Sequence, residues 1–122
     1  MRAGNSKLKG AWGEETAAEY LREKGYTIVG LNYRVRGGEI DVIARNRREL
    51  IFAEVKTRAS ARFAEAREAV TPAKIQRLIL AAEMYLAQNP TDLQPRFDVI
   101  EVYGAPGSAV RIEHIENAFS EG

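Results

Sequence analysis

Two stretches of sequence decide how the chain folds: Gly38-Glu39-Ile40-Asp41-Val42-Ile43-Ala44 and Ile51-Phe52-Ala53-Glu54-Val55-Lys56. Both are rich in β-branched and other apolar residues, which predicts two neighbouring strands buried in a sheet. Each also carries a carboxylate, Asp41 in the first and Glu54 in the second. Because burying an unpaired carboxylate costs several kcal/mol, both acids need a compensating charge. We expect a divalent cation between Asp41 and Glu54, with Lys56 beside it.

The spacing of the two strands predicts their register if they form a hairpin across the loop at 46–49. Residues on one side of the sheet then pair as Arg45 with Leu50, Ile43 with Phe52, Asp41 with Glu54 and Glu39 with Lys56. Directly opposed Cβ atoms lie about 4.5–5.5 Å apart, so the two acids would repel each other. A one-residue bulge in either strand would remove this pairing.

Spacing alone leaves two interpretations of these charges open. In the first, Asp41 and Glu54 bind Mg²⁺ or Mn²⁺ through oxygen atoms. Lys56 then stabilises negative charge on a reacting phosphate or orients the attacking water. In the second, the charges form a structural network at a strand edge, in which Glu39 pairs with Lys56 and the other acids pair with arginines.

A third carboxylate comes from the N-terminal helix, which the apolar period predicts for residues 8–24. Glu14 falls inside the apolar stripe of this helix, and Glu15 falls toward the other side of the stripe. We expect one of the two to point into the same polar pocket, and the helical period does not choose between them. Alternatively, a tilted helix would keep both acids in water.

Composition excludes several classes of protein. The 122 residues are the size of one domain, 1–122, and no apolar run approaches the roughly 18 residues that cross a bilayer. The absence of Cys excludes disulfides and thiolate zinc sites, and the single His excludes sites with several imidazoles. No phosphate-binding glycine loop, serine-hydrolase elbow or dinucleotide fingerprint is present. These features favour a cytoplasmic protein.

The net charge is only +1, but the charges are unevenly distributed. Residues 34–77 hold eleven Lys or Arg against six Asp or Glu, whereas residues 78–122 hold two against seven. The basic part contains the unusual carboxylates, which favours an anionic substrate near them. The residues predicted to contact the backbone of such a substrate are Arg36, Arg47, Arg48 and Arg58.

Turn and cap residues divide the chain into the order α-β-β-β-α-β-β. Residues 1–7 are expected to be disordered, and Gly25 to end the first helix. Thr71-Pro72 predicts the start of a second helix that ends at about Gln88, after a mobile loop at 58–70. The predicted strands span 26–34, 39–45, 50–57, 96–103 and 109–115.

Several of these residues together resemble the YraN family of small, largely uncharacterised bacterial proteins. They are Gly13-Glu14 with Ala17 or Ala18, Tyr20-Leu21, Gly25-Tyr26, Asn32, Gly38-Glu39-Ile40-Asp41, Glu54-Val55-Lys56 and Arg58. The family is similar to the PD-(D/E)XK nuclease superfamily, and to Holliday junction resolvases in particular. The resemblance covers about residues 8–103.

The resemblance implies an α/β fold with a restriction-endonuclease-like αβββαβ core, in which a mixed central sheet is flanked by helices. It implies that Asp41 and Glu54 are metal ligands, that Lys56 is the superfamily lysine and that Glu14 is the helix-borne acid. Ile40 departs from the pattern, because it stands where the superfamily signature has a proline. Proline in a strand mainly shapes the backbone, so this departure leaves the predicted metal site in place.

The expected function is that of a Mg²⁺- or Mn²⁺-dependent endonuclease that hydrolyses DNA phosphodiester bonds, with branched DNA such as Holliday junctions as a candidate substrate. The alternative is a non-catalytic nucleic-acid-binding or assembly protein that retains the nuclease fold. Leu80, Met84 and Ala87 form a second apolar strip on the second helix. This strip would suit a homodimer, or equally packing under the C-terminal strands.

Overall fold

In the part of the chain that the structure describes, two helices and five strands follow one another in the predicted order α-β-β-β-α-β-β. The computed structural model describes the backbone of residues 2–58 and 70–119, with side chains from Gly10 onward within those ranges. The elements are α1 (Arg2–Glu23), β1 (Thr27–Val35), β2 (Gly38–Arg45), β3 (Glu49–Arg58), α2 (Pro72–Gln88), β4 (Gln94–Tyr103) and β5 (Arg111–Phe119). The predicted mobile loop at 58–70 lies, apart from its two end residues, outside the described part of the chain.

The five strands form one sheet whose spatial order follows the chain, β1-β2-β3-β4-β5. Neighbouring strands are antiparallel except for β3 and β4, which are parallel. A parallel pair needs a long crossover connection, and α2 lies between these two strands in the chain. The mixed sheet with its helices confirms the predicted α/β fold class.

The two helices cover opposite faces of the sheet. On one face, Leu21 of α1 packs in a buried cluster with Val42 and other residues of β2, β3 and β4. On the other face, Leu78 of α2 packs in a second cluster that contains Phe52. Because both faces are covered, the central strands contain buried apolar runs, residues 42–44 in β2 and 50–53 in β3. Polar side chains within these strands therefore require a local reason.

The first helix is longer than the sequence predicts. α1 begins at Arg2 rather than at residue 8, and the expected disorder of residues 1–7 stays a prediction. This segment contains no Pro, and each residue added to an existing helix gains a hydrogen bond without a new nucleation cost. At the other end, Gly25 has a φ of 99° and stops the helix at the predicted position.

The second helix has the predicted ends. α2 runs from Pro72 to Gln88, and the hydroxyl of its N-cap residue, Thr71, accepts the backbone N–H of Lys74 at 3.2 Å. Asn89 is the C-cap residue, and its N–H donates to the carbonyl of Tyr85 at 2.8 Å. Local cap chemistry is therefore sufficient to place this helix.

The predicted register of the β2–β3 hairpin is confirmed over the residues that pair. Ile43 lies opposite Phe52, and the ladder continues to the pair of Val42 and Ala53, where it ends. The remaining predicted pairs, Asp41 with Glu54 and Glu39 with Lys56, lie beyond that end. The two strands thus separate at the position where the sequence places its carboxylates.

Strand β2 is irregular beside Asp41. Ile40 and Ile43 are three residues apart, yet both pack in the cluster under α2, which the two-residue period of a regular strand does not allow. On the neighbouring strand, Asn32 falls opposite Asp41 by the register on either side and has a φ of 53°. The prediction that Glu39, Asp41 and Ile43 share one side of a regular strand is therefore wrong.

Both edge strands of the sheet are also irregular. The pairing of β1 with β2 shifts between Ile28 and Gly30, and the pairing of β4 with β5 shifts between Phe97 and Val99. Like Asn32 in β1, Asn117 in β5 has a φ of 53°, a left-handed conformation that Asn tolerates better than most residues. Because β5 accommodates extra residues at this shift, it continues to Phe119 rather than ending at 115.

The second apolar strip of α2 faces solvent. Leu80 and Met84 are 39% and 41% exposed, so the strip does not pack under the C-terminal strands. Within the described residues, no helix combines the length and the apolar character that crossing a membrane requires.

Candidate metal centre

The carboxylate of Asp41 lies where β2 and β3 separate. Its Oδ2 accepts the backbone N–H of Val55 at 2.8 Å. This bond replaces the strand pairing that stops at Val42 and Ala53, and it links Asp41 to the residue that follows Glu54. Burial raises the pKa of Asp41, and the nearby charge of Glu39 adds to that effect, although the N–H of Val55 opposes it. The ionised carboxylate is therefore incompletely compensated by its surroundings.

Glu54 and Lys56 form a largely buried pair beside Asp41. The Nζ of Lys56 lies 3.6 Å from Oε2 of Glu54, and their side chains are 17% and 13% exposed. Burial raises the pKa of Glu54, and so does the negative charge of Asp41, whereas Lys56 and Lys74 lower it. The two acids thus repel each other, as the sequence predicts for adjacent carboxylates, although they are not a cross-strand pair.

Glu14, and not Glu15, points toward these carboxylates. Its Oε1 accepts a hydrogen bond from Nδ2 of Asn32 at 2.6 Å, and the charge of Asp41 acts on its carboxyl group. Burial raises the pKa of Glu14, and the charge of Asp41 raises it further against the effect of Asn32. Glu15 is exposed. The structure therefore resolves the choice that the helical period left open.

Two glycines bring the helices close to this site. A Cβ atom at Gly13 would clash with Oγ1 of Thr57, so its absence lets α1 approach β3 beside Glu14. A Cβ at Gly38 would lie 2.5 Å from the carbonyl oxygen of Arg77 and 3.1 Å from the backbone N of Ala81. Gly38 thus lets α2 approach the start of β2.

Lys74 adds a second amine near Glu54, and the sequence alone predicts no definite role for it. Its positive charge acts on both Lys56 and Glu54. The pKa of Lys56 is lowered, first by burial and then by Lys74, while Glu54 raises it. The signal in the sequence is the cap Thr71-Pro72, which puts Lys74 in the first turn of α2.

Two protein carboxylates are available for a metal ion at this place. Within residues 2–58 and 70–119, no group of three or more His, Asp and Glu side chains is arranged to hold one. Mg²⁺ is usually bound through one or two carboxylates, with water and substrate phosphates as the other ligands. Asp41 and Glu54 fit that requirement, because both are oxygen donors whose negative charges lack full compensation.

The four predicted backbone contacts fall in three different places. Arg36 is exposed in the turn between β1 and β2, roughly 17 Å along the chain before Asp41. Arg47 and Arg48 are exposed in the turn after β2, roughly 20 Å from Asp41 in the other direction, and their contact with a substrate stays a prediction.

Arg58 is buried rather than available to a DNA backbone. Its Nη2 donates to Oε2 of Glu101 at 3.0 Å, and its side chain is 7% exposed. Glu101 also accepts a hydrogen bond from the hydroxyl of Tyr103 at 2.8 Å. The prediction that Arg58 contacts substrate is therefore corrected to a structural ion pair between β3 and β4.

A second polar cluster, centred on Asp98, was not found from the sequence. Asp98 is fully buried in β4. Its Oδ2 lies 2.6 Å from Nε2 of His114 and accepts a hydrogen bond from Arg96 at 2.8 Å. Its Oδ1 accepts the backbone N–H of Asn117 at 3.0 Å. Nδ1 of His114 lies 3.0 Å from the hydroxyl of Tyr20 on α1. The cluster ties α1 and β5 to β4.

Comparison with known proteins gives the chain a family and no activity. The sequence profile described as "Uncharacterised protein family UPF0102" matches residues 13–102, a range that includes Glu14, Asp41, Glu54 and Lys56. The chain is 43% identical over 122 residues to UPF0102 protein TTE1452 of Caldanaerobacter subterraneus subsp. tengcongensis, and the alignment covers 98% of this chain and 100% of that protein. It is 46% identical over 115 residues to UPF0102 protein STH1475 of Symbiobacterium thermophilum, and this alignment covers 93% of the chain and 98% of the relative. A UPF0102 protein of Syntrophomonas wolfei is 46% identical over 111 residues, which are 90% of this chain and 96% of that protein.

These matches support the resemblance to the YraN family as family membership. The names of the relatives state no substrate, cofactor or reaction. The similarity to nucleases and resolvases stays a prediction.

Proposed function

The chain belongs to the uncharacterised protein family UPF0102, and we propose that it is a nuclease that uses Mg²⁺ or Mn²⁺ to hydrolyse phosphodiester bonds in DNA. One observation carries the proposal. The charge of Asp41 in β2 acts on two other carboxylates, Glu14 of α1 and Glu54 of β3, and Glu54 pairs with the amine of Lys56 at 3.6 Å. A fold that needed only stability would gain little from such mutual repulsion.

The ligand chemistry supports a hard divalent cation. Asp41 and Glu54 would hold it, and a bound Mg²⁺ or Mn²⁺ would polarise the scissile phosphate and make a bound water more acidic. The N–H of Val55 fixes one oxygen of Asp41 at 2.8 Å, which leaves its other oxygen free of that bond and orients the group before any ligand arrives. Asn32 fixes Glu14 in the same way, at 2.6 Å.

The surrounding amines suit an anionic substrate. Lys56 pairs with Glu54 at 3.6 Å, and its charge can stabilise the negative charge that develops on a reacting phosphate. Lys74, at the N-terminal turn of α2, can contact a non-bridging oxygen of the same phosphate. Arg36 is exposed in the turn that leads into β2 and is proposed as a sequence-independent contact to the backbone.

A cleavage assay with branched and unbranched DNA tests this proposal. Purified protein is incubated with linear, flapped and four-way-junction DNA in Mn²⁺, in Mg²⁺ and in EDTA. Four-way junctions are included because of the resemblance to Holliday junction resolvases. Asp41→Asn and Glu54→Gln are compared with Glu113→Gln, an exposed acid on β5 that pairs with Arg111 at 2.8 Å.

We expect cutting that requires the divalent ion, is lost in the first two variants and persists in Glu113→Gln. Binding of DNA without cutting on any substrate, in either metal, would instead favour the non-catalytic nucleic-acid-binding or assembly protein. Cutting that persists in both site variants would mean that a contaminant or another site is responsible.

A further inference from the structure

One carboxylate oxygen lies between two arginines next to the candidate metal centre. Oε1 of Glu39 is 3.9 Å from Nε of Arg34 and 3.9 Å from Nη2 of Arg77. Arg34 lies directly across from Glu39 on β1, whereas Arg77 comes from α2. Two guanidinium groups from separate elements thus converge on one anionic position.

The fold holds this position close to Asp41. Glu39 precedes Asp41 by two residues in β2, which corresponds to roughly 7 Å along the strand. Gly38 allows the backbone of α2 at Arg77 to approach β2 at this point. The arginine pair is therefore fixed beside the carboxylates by the same close packing that forms the site.

Glu39 is a weak occupant of the position. A separation of 3.9 Å exceeds that of a hydrogen bond, so neither arginine is held in a directed contact. The three side chains are 45% to 70% exposed, and ion pairs between such groups contribute little. One carboxylate cannot balance two guanidinium groups, so the group keeps a positive charge. Guanidinium groups bind phosphate oxygens in a planar, two-pronged manner that a single distant carboxylate oxygen does not satisfy.

We propose that Arg34 and Arg77 form a subsite for a second backbone phosphate of the nucleic acid, and that Glu39 occupies this subsite until the substrate displaces it. The identity of the ligand as a nucleic-acid phosphate rests on the proposed function, whereas the anion-binding character rests on the arginine pair. The substrate would then be held at two phosphates, one at the carboxylates and one beside Glu39. Glu39 would lower affinity for every DNA while it competes for the arginines.

The test is a set of equilibrium binding measurements in EDTA, where no cleavage occurs. Labelled duplex and four-way-junction DNA are titrated with the full-length chain over a range of salt concentrations. The variants are Glu39→Gln, the double variant Arg34→Gln/Arg77→Gln, and the triple variant that combines them. Matched controls are Glu83→Gln, an exposed acid elsewhere on α2, and Arg45→Gln, an exposed arginine at the other end of β2. Melting curves check that each variant is folded.

We expect Glu39→Gln to bind about two- to fivefold more tightly than the wild type, because a surface competitor of this strength is removed. The double variant should bind more weakly, and the slope of log K against log salt should become shallower by about 0.9 for one lost contact to a duplex phosphate. The gain from Glu39→Gln should disappear in the triple variant, because the arginines through which it acts are gone. Glu83→Gln and Arg45→Gln should change binding less than their counterparts.

A gain that persists in the triple variant, or an unchanged salt slope in the double variant, overturns the subsite. So does a wild-type chain that binds none of these DNAs at low salt. If the protein cuts DNA in a metal-dependent way but the variants show none of these binding effects, the subsite is wrong and the proposed nuclease function stands. If the variants show these binding effects but the protein cuts no DNA, the subsite stands and the proposed nuclease function is wrong.

Discussion

Asp41 accepts the backbone N–H of Val55 at 2.8 Å, at the point where the pairing of β2 with β3 has ended. This single bond holds the acid of one strand against the segment that carries Glu54 and Lys56 in the next. The carboxylates therefore converge through a side-chain bond to the backbone and not through cross-strand pairing. Any substitution at Asp41 must be judged by whether it keeps an acceptor for that N–H.

Asp41→Asn separates the charge of this residue from its structural bond. An amide oxygen can still accept the N–H of Val55, while the repulsion with Glu54 is removed. We expect the metal-free variant to melt at or above the temperature of the wild type. Millimolar Mg²⁺ or Mn²⁺ should raise the wild-type melting temperature by several degrees, since a ligand at 100 times its Kd contributes about 2.7 kcal/mol. The variant should lack this response, and a wild type indifferent to both ions would contradict the metal site.

Glu14 and Glu15 form a matched pair of neighbouring acids with different surroundings. Glu14 bonds to Asn32 and contacts Asp41, whereas Glu15 is exposed. Because groups that orient metal ligands are worth about 10- to 100-fold, Glu14→Gln should lower the cleavage rate by that factor. Glu15→Gln should leave the rate near that of the wild type. Single-turnover cleavage of one DNA by both variants provides the measurement, and equal effects would argue against a role for Glu14.

Gly13 and Gly10 provide a second matched pair, on the same helix. A Cβ at Gly13 would clash with Oγ1 of Thr57, but a Cβ at Gly10 has no atom outside its own helix within 4 Å. Gly10→Ala should stabilise the protein by up to about 1 kcal/mol through helix propensity. Gly13→Ala should instead destabilise it by about 1–3 kcal/mol. Urea denaturation measures both, and Thr57→Ala should rescue the Gly13 variant; failure of that rescue would point to another cause.

The pH dependence of stability should report on Asp98. Burial alone would raise the pKa of Asp98, but hydrogen bonds from His114, Arg96 and the N–H of Asn117 lower it below its usual value of about 3.9. The ionised carboxylate of Asp98 therefore stabilises the fold at pH values above the pKa that this group has in the unfolded chain. This contribution is lost as the pH falls through the lowered pKa of the folded state.

Asp98→Asn should remove this contribution and leave Arg96 without its main charged partner, at a cost of about 3–5 kcal/mol at pH 7. Its stability should also fall less steeply than that of the wild type between about pH 4 and the acid limit of folding. Asp92→Asn, at an exposed position, serves as the control. Denaturant titrations from neutral to acid pH would contradict the assignment if all three proteins lost stability in parallel.

Local signals in the sequence were enough for the elements and for the hairpin register. The pair Thr71-Pro72 places the start of α2, and Gly25 places the end of α1, because caps depend on residues next to each other in the chain. The register that puts Ile43 opposite Phe52 follows from the short loop of the hairpin. These features required no knowledge of distant contacts.

What the sequence could not provide depends on partners far along the chain. Arg58 is buried because Glu101, 43 residues away, reaches it from the neighbouring strand. The irregularity of β2 beside Asp41 depends on Asn32 of another strand and on the bond to Val55.

The interruptions in β1 and β5 have a consequence for association between molecules. A long regular edge presents a row of unpaired N–H and C=O groups on which a strand of another molecule can add. Here each outer strand is broken by a register shift and by an Asn in the left-handed conformation, Asn32 on one side and Asn117 on the other. Sheet extension from molecule to molecule is thereby discouraged on both sides, and one of the two residues that provide this protection, Asn32, also orients Glu14.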